Sequence, residues 1–292
     1  MNWKEIESSI SVSTGRDFHV LQSRSVGGGS INSAYVIEGE SERYFVKLNS
    51  KYYTEMFTAE AEGLAELAKP GVIHVPMPIS CGESPHHAFI VMENIGLSRG
   101  VGSSATKFGE ALAKLHQTYS EDFGWYRENT IGSTPQINKK NKHWVEFYRT
   151  HRLFYQIERA VDNGCGSELK ILGDKLCDNL ELFFDSYDPK PSLLHGDLWS
   201  GNYGYDEAGE PVIFDPAVYY GDRETDIAMT ELFGGFSSEF YNAYNNVSPL
   251  DDGYRVRKTL YNLYHVLNHF NLFGGGYQQQ AVGMMNDLLS DL

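Results

Sequence analysis

A chain of 292 residues with 41% hydrophobic and 13% aromatic content can bury one large core or two modest ones without covalent staples. Its 24 basic and 39 acidic residues leave a net charge of -15, which repels a nucleic-acid backbone, and the densest basic run, KKNK at 139–142, reads as a solvated loop leading into a helix. Three widely spaced cysteines, Cys81, Cys165 and Cys177, make neither a disulfide framework nor a thiolate metal site, and no apolar run nears the ~18 residues that a bilayer requires.

The chain opens with MNWKEIESSI, which carries two glutamates and no long apolar stretch; this argues against a signal peptide, and a reducing cytoplasm is the expected home. The opening stretch reads as an amphipathic helix. Residues 17–48 then read as three short strands, FHVLQSRSV, INSAYVIEG and ERYFVKLN, punctuated by the glycine triplet at 27–29 and the turn EGESE, in an antiparallel meander. From Glu55 to Ala68 the residues Met56, Ala59, Gly63, Leu64 and Leu67 recur at a helical period, and Pro70-Gly71 ends the helix. Two more strand-like runs, MPISCG and HHAFIVMENI, complete an α+β lobe over residues 1–94. Beyond it, residues 95–292 read as mostly helical, with Phe108, Leu112 and Leu115 setting one period and further helical stretches at 142–162, 167–185, 222–246 and 254–273. The exception is 192–218, where SLLHGDLWSGNYGY and PVIFDPAVY read as short strands flanking a polar loop.

That loop carries the chemistry. Phosphoryl transfer from ATP needs a group to orient the acceptor hydroxyl, oxygen ligands for Mg²⁺, a cation on the phosphates and a backbone cradle over them. In HGDLWSGN, Asp197 and Asn202 are five residues apart in one loop, so the carboxylate can face the acceptor while the amide oxygen reaches a metal. Asp215 follows the apolar PVIF and can complete the magnesium site. A lone Asp or Asn in a turn is ordinarily a local cap. The ordered set, Asp, four residues, Asn, a strand and Asp again, is the spacing of a kinase catalytic loop and its metal-binding aspartate. Lys47, at the end of the apolar YFVKLN, is costly without a partner or ligand, and a kinase supplies both: the phosphates and Glu60 of the following helix. Glu62 competes for that pairing but points to another helix face. Gly28 and Gly29, one strand before Lys47, can let backbone N–H groups approach phosphate, although a glycine-rich hairpin turn is the ordinary reading of such a run. Met92, Glu93, Asn94 and Ile95 close the last strand of the first lobe, where unpaired backbone groups can read an adenine edge.

LLHGDLWSGN at 193–202, FDPA at 214–217, the YYGDRE after it and FGGF at 233–236 resemble the fructosamine kinases, also called ketoamine or ketosamine-3 kinases, within the aminoglycoside-phosphotransferase and choline-kinase branch of the protein-kinase-like fold. The similarity runs nearly the whole chain, through FVKLN, VPMP at 75–78 and LNHFN at 267–271. It implies a two-lobed fold, ATP and Mg²⁺ as cofactors, and transfer of the γ-phosphate to the 3-hydroxyl of a ketosamine, whose phosphorylated form breaks down and frees the amine, a deglycation. By the same resemblance Asp197 accepts the proton, Asn202 and Asp215 hold the metal, Lys47 binds phosphate, residues 92–95 form the adenine hinge, and Trp199 is a platform for the sugar or its amine, where an aromatic face attracts a cation. The substrate is then a free or protein-bound ketosamine, with no nucleic-acid or membrane partner, and a monomer is compatible with all of this.

Two departures carry consequences. Some relatives have a cysteine after the glycine triplet that can form a redox-sensitive disulfide; Ser30 stands here, so that switch is expected to be absent. Pro216 follows Asp215 where protein kinases have Phe-Gly, which disfavours the α region for Asp215 and implies a permanently formed site. Asp226 can hold the catalytic loop's backbone or cap a helix, and His195 reads as an orienting residue. His265, Asn268 and His269 share one helix face with Asn271 nearby; lining an acceptor pocket and buried packing are equal readings for them. A kinase for an aminoglycoside, choline or another sugar, and a nucleotide-binding scaffold without activity, are the competing functions.

Overall fold

The computed structural model describes residues 3–27 and 31–292, so Gly28, Gly29 and Ser30 lie outside the described residues. In chain order the elements are helix α1 (Lys4–Thr14), strands β1 (Gln22–Val26), β2 (Ser33–Glu38) and β3 (Arg43–Ser50), helix α2 (Thr54–Ala68), and strands β4 (Pro78–Glu83) and β5 (His87–Glu93). Helix α3 (Ser104–Leu115), the short hairpin β6 (Asn129–Ile131) and β7 (Thr134–Gln136), and helices α4 (Trp144–Tyr148), α5 (Phe154–Asp162) and α6 (Ser167–Asp178) follow. Strands β8 (Ser192–Leu194), β9 (Tyr203–Tyr205), β10 (Pro211–Ile213) and β11 (Tyr219–Gly221) then precede α7 (Glu224–Leu232), α8 (Ser238–Val247), α9 (Tyr254–Phe273) and α10 (Tyr277–Ser290). The fold is α+β and two-lobed: one antiparallel sheet of order β1-β2-β3-β5-β4, then a helical body holding the short hairpins.

The central strands β3 and β5 are buried on both faces, and their period of two decides where Lys47 goes. Val46, Leu48, Phe89 and Val91 pack with Ile6 and Ile10 of α1 in one cluster. Ala88, Ile90 and Met92 point the other way and pack with Met56, Phe57, Leu64 and Leu67 of α2. Lys47 lies between Val46 and Leu48, pairs in register with Ile90, and therefore projects on the α2 side. On α2, Glu60 stands four residues from Met56 and from Leu64, on the buried stripe, whereas Glu62 is turned away by two helical steps.

In the helical body α9 is the central element, buried continuously from Leu260 to Asn268. Around it the hairpin strands pair β8 with β11 and β9 with β10. Their two connecting loops, 195–202 and 214–218, are stitched together by Phe214 N–H to Asn202 O (3.0 Å) and Ala217 N–H to His195 O (2.8 Å). No helix among the described residues is long and apolar enough to cross a membrane.

Several boundaries differ from the sequence expectation for physical reasons. The first strand begins at Gln22, because Phe18 turns into the α1 cluster instead of continuing a ladder. The stretch 142–162 is interrupted by a π-helical segment, Arg149–Leu153, and 167–185 ends in a 3-10 turn, Leu180–Phe184. The helix expected over 222–246 breaks at FGGF, where Gly234 (φ 107°) and Gly235 (φ 72°) take backbone conformations that residues with side chains rarely adopt. The β6–β7 hairpin and α10 were not expected.

Candidate active site

A cavity of about 860 Å³ lies between the lobes, and Lys47, Glu60, Asp197, Trp199, Asn202 and Asp215 all line it. Lys47 donates to Glu60 Oε1 at 2.5 Å and to Asp215 Oδ1, joining the sheet, α2 and the 214–218 loop at one ammonium. Burial alone would lower the Lys47 pKa, but the charges of Asp215 and then Glu60 reverse this and hold it above its ordinary value, so the site keeps a full positive charge. Glu62 instead meets Tyr126 and Arg127 of the helical body, and Tyr220 donates to Glu66 Oε1 at 2.8 Å. These contacts, with Gly63 packed against Val218, fasten α2 and hence Glu60 to the lower lobe.

The catalytic-loop candidates are held from beneath. Asp226 accepts the backbone N–H of His195 (2.7 Å) and of Gly196 (2.8 Å), and its carboxylate also meets His116 Nε2 at 3.2 Å. Burial would raise the Asp226 pKa, but the His116 hydrogen bond and charge outweigh it and hold the carboxyl below its ordinary value. Asp226 holds the loop in this way from the first turn of α7, where its charge also suits the helix dipole. Gly196 adopts φ +83°, and a Cβ there would fall 2.0 Å from Ala217 O, which is why the motif needs glycine at this point. His195 is buried; its Nε2 meets Phe214 O at 3.0 Å and its Nδ1 accepts the Asp197 N–H at 3.3 Å, so the ring bridges the two loops. Burial lowers its pKa and keeps it neutral.

Asn202 spends its amide nitrogen on Asp197 O (2.8 Å), Asp197 Oδ2 (3.2 Å) and Asp215 O (3.4 Å), which leaves Oδ1 as the atom available to a cation. Asp215 keeps its second carboxylate oxygen and is 43% exposed to the cleft. Two hard oxygen donors fit a Mg²⁺ ion that completes its shell with phosphate and water oxygens. Among the described residues no group of three or more His, Cys, Asp and Glu side chains offers an all-protein metal cage. Asp215 is the one non-glycine residue with positive φ (59°) among the described residues, whereas a proline at 216 ordinarily biases the preceding residue toward extended backbone. Burial first, and then the Asp215 charge, push the Asp197 carboxyl up to about 7, against the pull of the Asn202 hydrogen bond.

The strand-end candidates divide. Met92 is 2% exposed, inside the first-lobe core, and does not line the cavity; Glu93, Asn94 and Ile95 do. Glu93 N–H is taken by Met77 O at 2.9 Å, while among the described residues nothing pairs the backbone N–H of Asn94 or Ile95. Gly27 lines the cavity, and the two glycines that follow fall outside the described residues. Trp199 is half-buried, edge-on to Phe233 at 6.2 Å, and lies over Gly201, where a Cβ would come within 2.3 Å of the indole. The tryptophan therefore faces the cleft and is not a core residue.

Sequence reasoning missed the clamp on the 214–218 loop. Gln136 donates to Ala217 O (3.1 Å) and to Asn129 Oδ1 (2.9 Å); Asn129 in turn donates to Val218 O (2.8 Å), and Asn138 links Asn129 to the buried Arg152. The signal was the density of polar residues in NTIGSTPQIN, which resembles an exposed turn until the hairpin is folded inward.

Comparison with known proteins returns concordant likenesses. The family profile described as fructosamine kinase matches residues 2–291. A protein named probable ketoamine kinase from Synechocystis sp. is 46% identical over 98% of this chain and 97% of its own. The chloroplastic protein-ribulosamine 3-kinase of Arabidopsis thaliana is 43% identical over 94% of this chain and 85% of its own. The crystal structure of a fructosamine-3-kinase candidate from Haemophilus somnus superposes with a TM-score of 0.91 at 32% identity, covering 98% of this chain and 97% of that one.

Proposed function

The chain belongs to the fructosamine kinase family, and from that premise we propose that it transfers the γ-phosphoryl group of ATP to the 3-hydroxyl of a ketosamine. The observation that carries the reading is the single cleft in which Lys47, braced by Glu60, faces Asp197 and the Trp199 indole. Residues 1–94 hold the nucleotide, with Lys47 on the phosphates, Gly28 and Gly29 in the backbone cradle, and the Glu93–Ile95 strand end, continuous with Met92, offering backbone groups to adenine. Residues 95–292 supply catalysis and the acceptor pocket. Asn202 and Asp215 are the residues that would hold Mg²⁺. When bound, that ion neutralises charge on the phosphates.

Asp197 orients the acceptor hydroxyl and takes up its proton as the oxygen attacks, while Asp226, through the His195 and Gly196 N–H groups, keeps the loop carrying Asp197 in place. Trp199 presents an aromatic face to the sugar or to the cationic amine. The product is a phosphorylated ketosamine that breaks down to release the amine, which makes the biological role deglycation. The test is coupled ADP release with Mg-ATP against ribulose-lysine, fructose-lysine, kanamycin and choline. Turnover of the ketosamines is expected; turnover of kanamycin or choline without them would overturn the reading.

A further inference from the structure

One polar group in the cleft has no role in the scheme above. His265, on α9, is 4% exposed and lines the cavity, yet its Nδ1 is buried and has no hydrogen-bond partner among the described residues. The other buried side-chain atoms in that condition belong to residues that do not line the cavity. Of its polar neighbours on the helix, Asn262 has an unpaired Oδ1 of its own but does not line the cavity, whereas Asn268 and His269 are used. Asn268 accepts from Gln156 Nε2 at 3.2 Å, and His269 Nδ1 meets the His265 carbonyl at 2.8 Å. An unpaired buried polar atom is destabilising, and native structures rarely keep one without a purpose.

The chemistry of the group narrows what completes it. Burial, reinforced by the neighbouring His269, pushes its pKa down to about 3, so the imidazole is neutral at physiological pH. A neutral ring has one nitrogen that donates and one that accepts, and a hydroxyl can answer either. It offers no charge to a phosphate or a carboxylate, and it does not repel the ammonium of an amine held at the Trp199 face.

We infer that His265 is a specificity-determining residue: Nδ1 is sealed inside the chain, and the other ring nitrogen, Nε2, hydrogen-bonds a hydroxyl of the acceptor's sugar other than the one phosphorylated, so that the site selects polyhydroxylated ketosamines. This rests on the ketosamine kinase reading. A site built to bond a hydroxyl discriminates against the analogue that lacks it, because its own polar atom is then left unpaired.

The experiment measures kcat and KM for ribulose-lysine and for its 4-deoxy and 5-deoxy analogues in the wild-type chain, His265→Leu, His265→Asn and His265→Gln. The wild type is expected to lose about tenfold to a hundredfold in kcat/KM on one of the deoxy analogues. His265→Leu should lose a similar factor on the parent, mainly through acceptor KM, with ATP KM unchanged and discrimination between parent and analogue gone. His265→Gln, which places a polar atom near the Nε2 position, should recover most of the loss, and His265→Asn, which places it near Nδ1, should not. Wild-type rates that ignore both missing hydroxyls, or a His265→Leu chain that discriminates as the wild type does, would overturn the inference while leaving the function standing. If His265→Leu does not fold, judged by its thermal transition, the Asn and Gln variants decide: equal rates, or Asn ahead of Gln, overturn it. A wild type that turns over no ketosamine removes the function and this inference together.

Discussion

The two ends of the cleft are built on opposite principles. At the phosphate end, the charged groups find partners within the chain: Lys47 with Glu60 and Asp215, Asp226 with two backbone N–H groups and His116. At the acceptor end, the wall is Trp199, Phe233, His269 and the unpaired His265. The first end is preorganised, since its ions are held in position before any ligand arrives. The second leaves aromatic faces and a neutral imidazole for a ligand to satisfy; on the proposed function, selectivity between acceptors is expected there, while the nucleotide half is set by charge.

This contrast can be broken most severely at the point where the ends meet. Asp197→Ala should lower kcat by about 10³-fold with ATP KM nearly unchanged, read by coupled ADP release. A near-normal rate would remove Asp197 as the base. Lys47→Met attacks the phosphate end alone. It leaves Glu60 buried and facing Asp215 without the cation between them, so kcat/KM for ATP should fall on the order of 10²-fold and the chain should lose about 3 kcal/mol in urea unfolding.

Asp226→Asn tests whether preorganisation beneath the loop matters. It should cost about 2 kcal/mol and lower kcat more than it raises either KM. Its pH signature has a definite sign. The native carboxyl is held below the ordinary 3.8, so the unfolded chain takes up the proton first as the pH falls. The stabilisation is whole above pH 3.8 and is lost as the pH drops through the depressed native value. The gap between wild type and Asp226→Asn in urea midpoint should therefore narrow in acid; a constant gap down to pH 3 would contradict the assignment. The smallest effect is expected at the acceptor end: Gly201→Ala places a methyl against the Trp199 indole, and should raise acceptor KM roughly fivefold while leaving ATP KM alone. A change in ATP KM of the same size would mean that the two ends are not separable.

The sequence determined the charged end because motif spacing and elementary periodicity are enough to place it. Lys47 on the α2 side follows from the alternation of a strand buried on both faces, and Glu60 in preference to Glu62 follows from the helical repeat. HGDLWSGN and FDPA put Asp197, Asn202 and Asp215 within one loop pair because the β9–β10 hairpin and the β8–β11 pair around it bring them together over a small separation in sequence.

Only the tertiary structure decided the rest. Whether Trp199 lay in the core or faced the cleft, and which of the polar residues of α9 were internally bonded, depended on contacts between segments far apart in the chain: Gln156 with Asn268, and Gln156 with Asn271. The Gln136 and Asn129 clamp on Ala217 and Val218 spans more than eighty positions. The positive φ of Asp215, whose carboxylate meets Lys47 and whose carbonyl meets Asn202, is likewise encoded by no local propensity. Local pattern reports what a residue can do; whether its hydrogen bonds are spent inside the chain or left for a ligand is a property of the folded whole.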